Sequence, residues 1–368
     1  MASQDKQINK GKKVFVAMSG GVDSSVTAVL MKEQGYDVTG VTMCFSVARP
    51  DSQKPSCGGV DGITDAQRVA QVLDIPHYVL DFAKDIKIHV IDNFTNEYLN
   101  GRTPNPCVRC NQYLKFGALY EKVMSLGADF LATGHYAKIH YDSKAARYEI
   151  KKAQDLQKDQ SYFLYSINKE ILPKILFPLG DKLKNEVREL ARKYQLNVAR
   201  KRESQDICFV PDTGYKSFIC DRLGNSVFEP GHFKNYKGEI VGEHKGIFNY
   251  TIGQRDQLGI ALGTPVYVYK IDKRTNTVYI GPQECLYAQG LTANQFNPVS
   301  MNIPTETMEV YARIRYNARE VKGFLTHLGG DRIRVEFARP QQSVTPGQSV
   351  VLYHDDVLLA GAVIEETI

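Results

Sequence analysis

The sequence has no tryptophan, few cysteines and no long apolar run. Since an apolar run of about 18 residues or more is needed for a spanning helix, we expect no membrane span. The polar N-terminal stretch MASQDKQINKGKK lacks the apolar core of a secretory signal. Seven cysteines in 368 residues are too few for a disulfide scaffold and are typical of a reducing compartment, so we expect a cytoplasmic protein.

The composition is that of an ordinary globular protein long enough for two or three domains. Hydrophobic residues make up 43% of the chain and charged residues 24%. The formal net charge of +5 suits a polyanionic partner without requiring one.

The order of predicted elements indicates an α/β fold in the first half of the chain. Strand-like segments such as KVFVAM and DVTGVTMCF alternate with helix-like ones, which favours a parallel sheet covered by helices. The turn-rich GRTPNPC is predicted to be neither helix nor central strand. After about residue 212, short alternating runs separated by glycine predict antiparallel strands. We therefore predict an α/β domain over 1–212, a small linking domain over 213–282 and an antiparallel β-barrel over 283–368.

The stretch VAMSGGVDSS, at 16–25, places a glycine turn between a strand and a helix. Backbone N–H groups and the helix dipole make such a turn an anion site, and Gly20 and Gly21 allow close approach of a phosphate. Asp23 could cap the helix or help to hold a magnesium ion that bridges phosphates. Neither the Walker pattern nor the dinucleotide pattern is present.

The longer pattern S-G-G-x-D-S resembles the pyrophosphate-binding loop of the PP-loop ATP pyrophosphatases. That resemblance implies cleavage of ATP to AMP and pyrophosphate, and a leaving pyrophosphate held by the loop. Met43 follows the second strand, where it could pack against adenine or belong to the core. Gly134 ends the strand over 129–133, at the edge where open α/β sheets bind ligands.

Three cysteines have spacing or context that suggests chemistry. Cys107 and Cys110 form a CxxC pair, and Cys208 lies in SQDICFV. A thiolate can carry a transferable sulfur as a persulfide, which a second thiol can attack. Structural, redox and metal sites remain open alternatives, including a [4Fe–4S] cluster on three cysteines. A zinc site would need a fourth ligand, and no second CxxC or paired histidine is present.

Basic residues are concentrated in one stretch, residues 182–202, and a strand-like run near 310 adds two arginines. This pattern is expected of a surface that meets nucleic-acid phosphates, although a solvated basic face looks the same. The stretch contains eight basic residues but only two acidic ones, Glu186 and Glu189. The basic residues are Lys182, Lys184, Arg188, Arg192, Lys193, Arg200, Lys201 and Arg202.

Seven motifs occur in order over nearly the whole chain: MSGGVDSS, GRTPNPCVRCN, ATGHYA, KDQSYFL, CFV, YTIGQR and VTPGQSV. Together they resemble the bacterial tRNA-specific 2-thiouridylases. The resemblance implies that ATP adenylates O2 of the wobble uridine. A persulfide on Cys208 would then deliver sulfur with Cys110 as nucleophile, giving 2-thiouridine, AMP and a Cys110–Cys208 disulfide.

The resemblance also implies partners and binding residues. The partners would be tRNAs for Lys, Glu and Gln, and a cysteine desulfurase or sulfur relay protein as donor. ATP, with Mg²⁺, would contact Ala17, Met18, Ser19, Gly20, Gly21, Val22, Asp23, Ser24, Met43 and Gly134. The tRNA would contact Asn105, Pro106, Cys107, His135, Lys158, Asp159, Gln160, Arg315, Tyr316 and Gln348. A uridine taken out of the anticodon stack could stack on Tyr136 or Tyr316.

One departure from the family pattern affects the chemistry, because many members carry Asp where this chain has Cys107. A thiol here makes a [4Fe–4S] cluster on Cys107, Cys110 and Cys208 an alternative to the persulfide. Two other functions remain open: a PP-loop enzyme that activates a small molecule, and an RNA-binding protein with a structural metal. The first leaves the cysteines unexplained, and the second leaves the glycine turn without a role.

Overall fold

The computed structural model describes residues 9–45, 59–201, 207–224, 229–260 and 263–368. The chain forms two compact units, each made of separate stretches of sequence. The first comprises residues 1–90, 107–212 and 356–358, and the second comprises 91–106, 213–355 and 359–368. None of the helices in the described ranges is both long and apolar enough to cross a bilayer. The predicted division into three domains stays a prediction.

The first unit is built on a parallel sheet and a hairpin. Its strands are β1 (Lys13–Ala17), β2 (Asp37–Cys44), β3 (His77–Asp81), β4 (Phe130–Thr133), β5 (Ala137–Asp142), β6 (Arg147–Lys152) and β7 (Ile175–Leu176). The sheet has the order β3-β2-β1-β4-β7, and its neighbouring strands all run parallel. Strands β5 and β6 pair antiparallel. The predicted parallel sheet is confirmed, and its carboxyl edge brings the ends of β1, β2 and β4 together.

Eight α-helices lie in the described ranges. They are α1 (Val22–Glu33), α2 (Val60–Val72), α3 (Ala83–Ile86), α4 (Asp92–Leu99), α5 (Pro106–Arg109), α6 (Tyr120–Ser125), α7 (Lys184–Lys193) and α8 (Tyr215–Leu223). The core of the first unit joins Val26 and Val29 of α1 with Val187 and Ala191 of α7, all at most 1% exposed. Helix α7 therefore packs on the helix that follows the glycine turn.

Two segments of the first half are π-helical, over Lys87–Ile91 and Cys110–Leu119. The second continues directly from α5, so the CxxC pair lies at a change of helix type. The expectation that GRTPNPC contains no helix is wrong at its end, because α5 begins at Pro106. Proline is tolerated in the first helical turn, where its missing N–H would have no intrahelical acceptor.

The second unit contains a small mixed sheet and a closed barrel. The small sheet comprises β8 (Gly231–Lys234), β9 (Ile240–His244), β10 (Tyr267–Asp272) and β11 (Thr277–Gly281). The barrel comprises β12 (Tyr287–Asn297), β13 (Met308–Arg313), β14 (Val321–Gly329), β15 (Arg332–Gln342), β16 (Ser349–His354) and β17 (Val357–Thr367). Pairing of β12 with β17 closes it. The predicted barrel is confirmed, although the sequence pattern did not indicate β12 or β14.

Candidate functional site

The glycine turn between β1 and α1 is held in one conformation by its own serines. Gly20 has a φ of +71°, and a Cβ there would lie 2.2 Å from the carbonyl oxygen of Gly62. The hydroxyl groups of Ser24 and Ser25 both donate to the carbonyl oxygen of Gly21, at 3.2 and 2.8 Å. The N–H of Ser19 donates to Ser24 Oγ at 3.1 Å. Only glycine fits position 20, as expected for a turn that approaches a phosphate.

A pocket of about 190 Å³ opens at the carboxyl edge of the sheet beside this turn. Its walls come from the ends of β1, β2 and β4, from the Cys110–Leu119 helix and from Gln160. The lining residues are Ala17, Met18, Ser19, Asp23, Ser24, Val41, Met43, Lys115, Thr133, Gly134, His135 and Gln160. Seven of the residues predicted to contact ATP therefore line one pocket, Gly20 and Gly21 form the adjoining turn, and Val22 begins α1.

Met43 and Gly134 lie on opposite sides of β1. Met43 is 7% exposed and faces the pocket from β2. Gly134 follows β4, and a Cβ there would lie 2.8 Å from the backbone nitrogen of Ser24. This close approach lets the loop after β4 pack on the first turn of α1.

Asp23 is held by an ion pair rather than by its own helix. Helix α1 has Gly21 as its N-cap with no side-chain capping bond, so the capping role considered for Asp23 is wrong. Its carboxylate accepts hydrogen bonds from Lys184 Nζ at 2.7 and 2.8 Å and from the Tyr136 hydroxyl at 2.8 Å. The carboxylate is thereby turned toward α7, where the Lys184 ammonium group balances its charge.

Two lysines of the basic stretch turn inward. Lys184 is only 8% exposed, so its expected place on a phosphate-binding surface is wrong. Lys201 Nζ donates to the carbonyl oxygen of Gly20 at 3.1 Å and pairs with Asp65 at 2.6 Å. Both lysines support the glycine turn from the segment that follows the sheet. Arg202 lies outside the described residues.

The two residues after Gly134 are buried. Tyr136 is 2% exposed, so its suggested stacking on a base is wrong for the structure described. His135 is 8% exposed, and its ring packs against Phe116 and Phe177, which also contact each other. Burial, and secondly the charge of Lys115, hold the pKa of His135 well below its ordinary value. His135 is therefore a neutral imidazole in the pocket wall.

The KDQ triplet has three different environments. Asp159 is 3% exposed, and its carboxylate accepts from Ala153 N, Ser161 N and Ser161 Oγ. Gln160 lines the pocket and accepts from the backbone N–H of Tyr136 at 3.1 Å. Lys158 is half-buried. The predicted tRNA contacts of these residues stay predictions, and the structure gives Asp159 a supporting role within its loop.

The three singled-out cysteines all belong to the first unit. Cys107 is exposed, whereas Cys110 and Cys208 are half-buried. Between the CxxC cysteines, Arg109 donates to the carbonyl oxygen of His89 at 2.7 Å and lies over the ring of Tyr113. In the ranges that the structure describes, no three His, Cys, Asp or Glu side chains form a group that could hold a metal ion. The donor arrangement expected of a three-cysteine cluster is thus not assembled there.

Five of the predicted tRNA contacts lie in the second unit: Asn105, Pro106, Arg315, Tyr316 and Gln348. Gln348 Nε2 donates to the carbonyl oxygens of Thr103 and Pro104, at 3.0 and 3.1 Å, just before Asn105 and Pro106 in the chain. Arg315 is exposed, and Tyr316 is half-buried beneath the guanidinium of Arg313. The tRNA contacts predicted for these residues stay predictions.

Sequence reasoning missed Lys115, Thr133 and the support given by Lys184 and Lys201. Lys115 carried one usable signal, because it interrupts an apolar run between Leu114 and Phe116. Lys184 carried none, since a lysine at the start of an amphipathic helix is usually solvated.

Family comparisons match the chain in three consecutive parts. The model described as tRNA methyl transferase HUP domain matches residues 12–212. The tRNA methyl transferase PRC-barrel domain matches 216–282, and the aminomethyltransferase beta-barrel domain matches 288–364. These descriptions agree with the parallel sheet, the small central sheet and the closed barrel.

The similar curated proteins share one name over nearly their whole length. The tRNA-specific 2-thiouridylase MnmA of Carboxydothermus hydrogenoformans is 47% identical over 96% of this chain and 98% of the relative. The tRNA-specific 2-thiouridylase MnmA 1 of Syntrophus aciditrophicus is 50% identical over 97% of this chain and 94% of the relative. Among solved structures, a 4-thiouridine synthetase–RNA complex with bound ATP has a TM-score of 0.34 and 17% identity over 58% of this chain and 50% of that chain.

Proposed function

Because the chain belongs to the family of tRNA-specific 2-thiouridylases, we propose that it converts the wobble uridine of tRNA to 2-thiouridine at the expense of ATP. The observation that supports this most directly is the helix Cys110–Leu119. Its first residue is a cysteine of the CxxC pair, and its Lys115 lines the pocket beside the glycine turn. This one helix can therefore provide residues both for the activation of uridine by ATP and for the delivery of sulfur.

The first step would be adenylation. Uridine O2 attacks the α-phosphorus of ATP, the bond from that phosphorus to the bridging oxygen breaks, and pyrophosphate leaves while the N3 proton passes to solvent. The N–H groups at the start of α1, together with Gly20 and Gly21, are suited to the leaving pyrophosphate. Mg²⁺ would be held mainly by phosphate oxygens and water, and Asp23 is the one carboxylate among the described residues that line the pocket.

The second step would use two thiols. The outer sulfur of a Cys208 persulfide attacks C2, and AMP leaves with the electron pair of the C2–O bond. The Cys110 thiolate then attacks Cys208 Sγ, which breaks the sulfur–sulfur bond and releases 2-thiouridine. Two thiols are oxidised to a Cys110–Cys208 disulfide as the transferred sulfur is reduced. A cellular thiol reductant must then restore both cysteines.

The partners follow from the same chemistry. The substrates would be the tRNAs for Lys, Glu and Gln, and the persulfide would come from a cysteine desulfurase or a sulfur relay protein in the cytoplasm. Phosphate contacts would come from exposed cations such as Arg192 and Arg315, and from Lys158. Asn105, Pro106 and Cys107 would lie at the target base.

The test is a reconstituted reaction with unmodified tRNA, ATP and a desulfurase that supplies radiolabelled sulfur. We expect tRNA-dependent release of pyrophosphate and formation of 2-thiouridine. Cys110→Ser and Cys208→Ser should lower 2-thiouridine formation by about 10³-fold or more. Only Cys208→Ser should also lose the labelled sulfur from the protein.

Cys220→Ser is the matched control, since Cys220 is half-buried in the second unit. Thiolation by Cys208→Ser at the wild-type rate would contradict the persulfide. Pyrophosphate release with small molecules and without RNA would favour a different PP-loop enzyme. Iron and sulfide analysis after anaerobic purification tests the cluster alternative. About four irons and four sulfides per chain, lost in Cys107→Ala, would support a [4Fe–4S] cluster in place of the persulfide.

A further inference from the structure

Lys115 is the one lysine or arginine among the described residues that line the pocket. The carboxylate in the same wall, Asp23, already pairs with Lys184 at 2.7 Å. In the described part of the chain, no carboxylate forms an ion pair with Lys115, and its polar neighbour is His135 Nε2 at 3.5 Å. An ammonium group that faces a pocket and forms no ion pair with a carboxylate is suited to an anionic ligand.

His135 fixes the direction of this lysine. A lysine ammonium only donates hydrogen bonds, so Nε2 of His135 is the acceptor and its proton lies on Nδ1. Nδ1 then donates to Thr133 Oγ1, at 2.7 Å. With both ring nitrogens engaged and the ring packed against Phe116 and Phe177, His135 holds the Lys115 ammonium group in the pocket.

The helix type relates Lys115 to the cysteine. In a π-helix the backbone hydrogen bond closes from residue i to residue i+5, so the fifth residue comes round toward the same face. Cys110 and Lys115 are five positions apart in the π-helix Cys110–Leu119. An α-helix would turn the two side chains farther apart, since its bond closes at i+4. The helix type therefore brings Lys115, which lines the pocket, closer to the helix face of Cys110 than an α-helix would.

We propose that Lys115 is a catalytic residue that binds the α-phosphate of ATP and stabilises the charge developing there while uridine O2 displaces pyrophosphate. This rests on the proposed function. The turn and the start of α1 provide N–H groups for the leaving pyrophosphate. Cys110 attacks Cys208 Sγ while the transferred sulfur is bonded to uridine C2, the carbon that O2 had joined to the α-phosphorus. A cation on the Cys110 helix is therefore on the side where the new phosphorus–oxygen bond forms.

The experiment compares Lys115→Gln and Lys115→Arg with wild type in binding adenosine, AMP and inorganic pyrophosphate. Lys115→Gln should weaken AMP binding about tenfold and leave adenosine and pyrophosphate binding unchanged, since only AMP carries the α-phosphate. In single turnover with tRNA, it should slow pyrophosphate release about 100-fold. Lys115→Arg keeps the charge and should recover most of both losses.

Lys122→Gln is the matched control, because Lys122 is exposed in the following helix α6. Equal losses for adenosine and AMP in Lys115→Gln would indicate a distorted pocket and overturn the proposal. A loss for pyrophosphate but not for AMP would overturn it as well, and so would wild-type rates in both variants. If wild type itself releases no pyrophosphate with tRNA, the proposed function fails, whereas the binding series still tests the α-phosphate contact.

Discussion

At the scale of single residues, the site depends on charges that are turned inward. Lys184 lies 161 residues from Asp23 in sequence, yet its ammonium group contacts both carboxylate oxygens. Tyr136 completes the arrangement, and its ring lies 5.5 Å from Lys184 Nζ. The pair joins the first turn of α1 to the first residue of α7, so it keeps the glycine turn in place.

Replacing Lys184 with methionine should therefore lower stability as well as ATP affinity. The Lys184 side chain is 10% exposed and that of Asp23 30%. We expect the free energy of unfolding to fall by about 1–3 kcal/mol, less than for a fully buried pair because solvent reaches Asp23. Urea denaturation of Lys184→Met, Asp23→Asn and the double variant measures this, and the double variant should lose less than the sum.

Lys122→Met is the control for a lysine exposed to solvent. It should change the free energy of unfolding by no more than about 0.5 kcal/mol. Strictly additive losses in the double variant would mean that the two side chains do not stabilise one another.

At the scale of elements, the decisive feature is the π-helix that starts at Cys110. Its hydrogen bonding brings residue 117 against residue 112, and Gly117 leaves room for this contact. A Cβ at position 117 would lie 2.9 Å from the carbonyl oxygen of Gln112. The glycine is thus matched to the helix type that relates Cys110 to Lys115.

Gly117→Ala should destabilise the protein, whereas replacing glycine with alanine in a helix usually stabilises it. Alanine normally stabilises a helix by about 0.5–1 kcal/mol relative to glycine. Here the crowded Cβ should lower the free energy of unfolding by about 1 kcal/mol or more and slow thiolation, because the helix must shift. Urea denaturation and a thiolation assay check both effects, with Lys122→Ala as control. A more stable Gly117→Ala protein would show that the helix accepts the side chain.

At the scale of the whole molecule, the chain passes repeatedly between its two compact units. Residues 91–106 belong to the second unit, and Cys107 returns to the first. Within the second unit, the N–H of Thr103 donates to the carbonyl oxygen of Pro346, and Gln348 contacts the carbonyl oxygens of residues 103 and 104. The motifs GRTPNP and VTPGQSV are therefore neighbours in space, and the barrel turn holds the segment that precedes the CxxC pair.

Gln348→Ala should loosen this segment. Losing two hydrogen bonds to backbone carbonyls should cost about 1–2 kcal/mol of stability. Hydrogen exchange at residues 101–105 should become faster and thiolation slower, while the Kd for tRNA stays the same. Gln341→Ala is the matched control, since Gln341 donates to two carbonyls of its own strand. A raised Kd for tRNA with unchanged hydrogen exchange would instead support the RNA contact predicted for Gln348.

Features that depend on local spacing could be predicted from the sequence alone. Alternating strand and helix patterns specified the parallel sheet, and the Ser-Gly-Gly turn specified an anion site, because glycine conformation and strand order are local properties. Alternation also predicted most barrel strands. It did not indicate the π-helix, whose apolar pattern resembles that of an α-helix, or the strands β12 and β14.

Which polar side chains belong to the site depends on contacts between elements that are distant in the sequence. Lys184 and Arg192 look alike in the sequence, yet Lys184 is buried against Asp23 and Arg192 is exposed. Lys115 and His135 are 20 positions apart in the chain, and the fold brings Lys115 Nζ to 3.5 Å from His135 Nε2. The physical reason is that a charged side chain is stable inside only where folding supplies its partner, and that partner is set by packing between elements rather than by the neighbouring sequence.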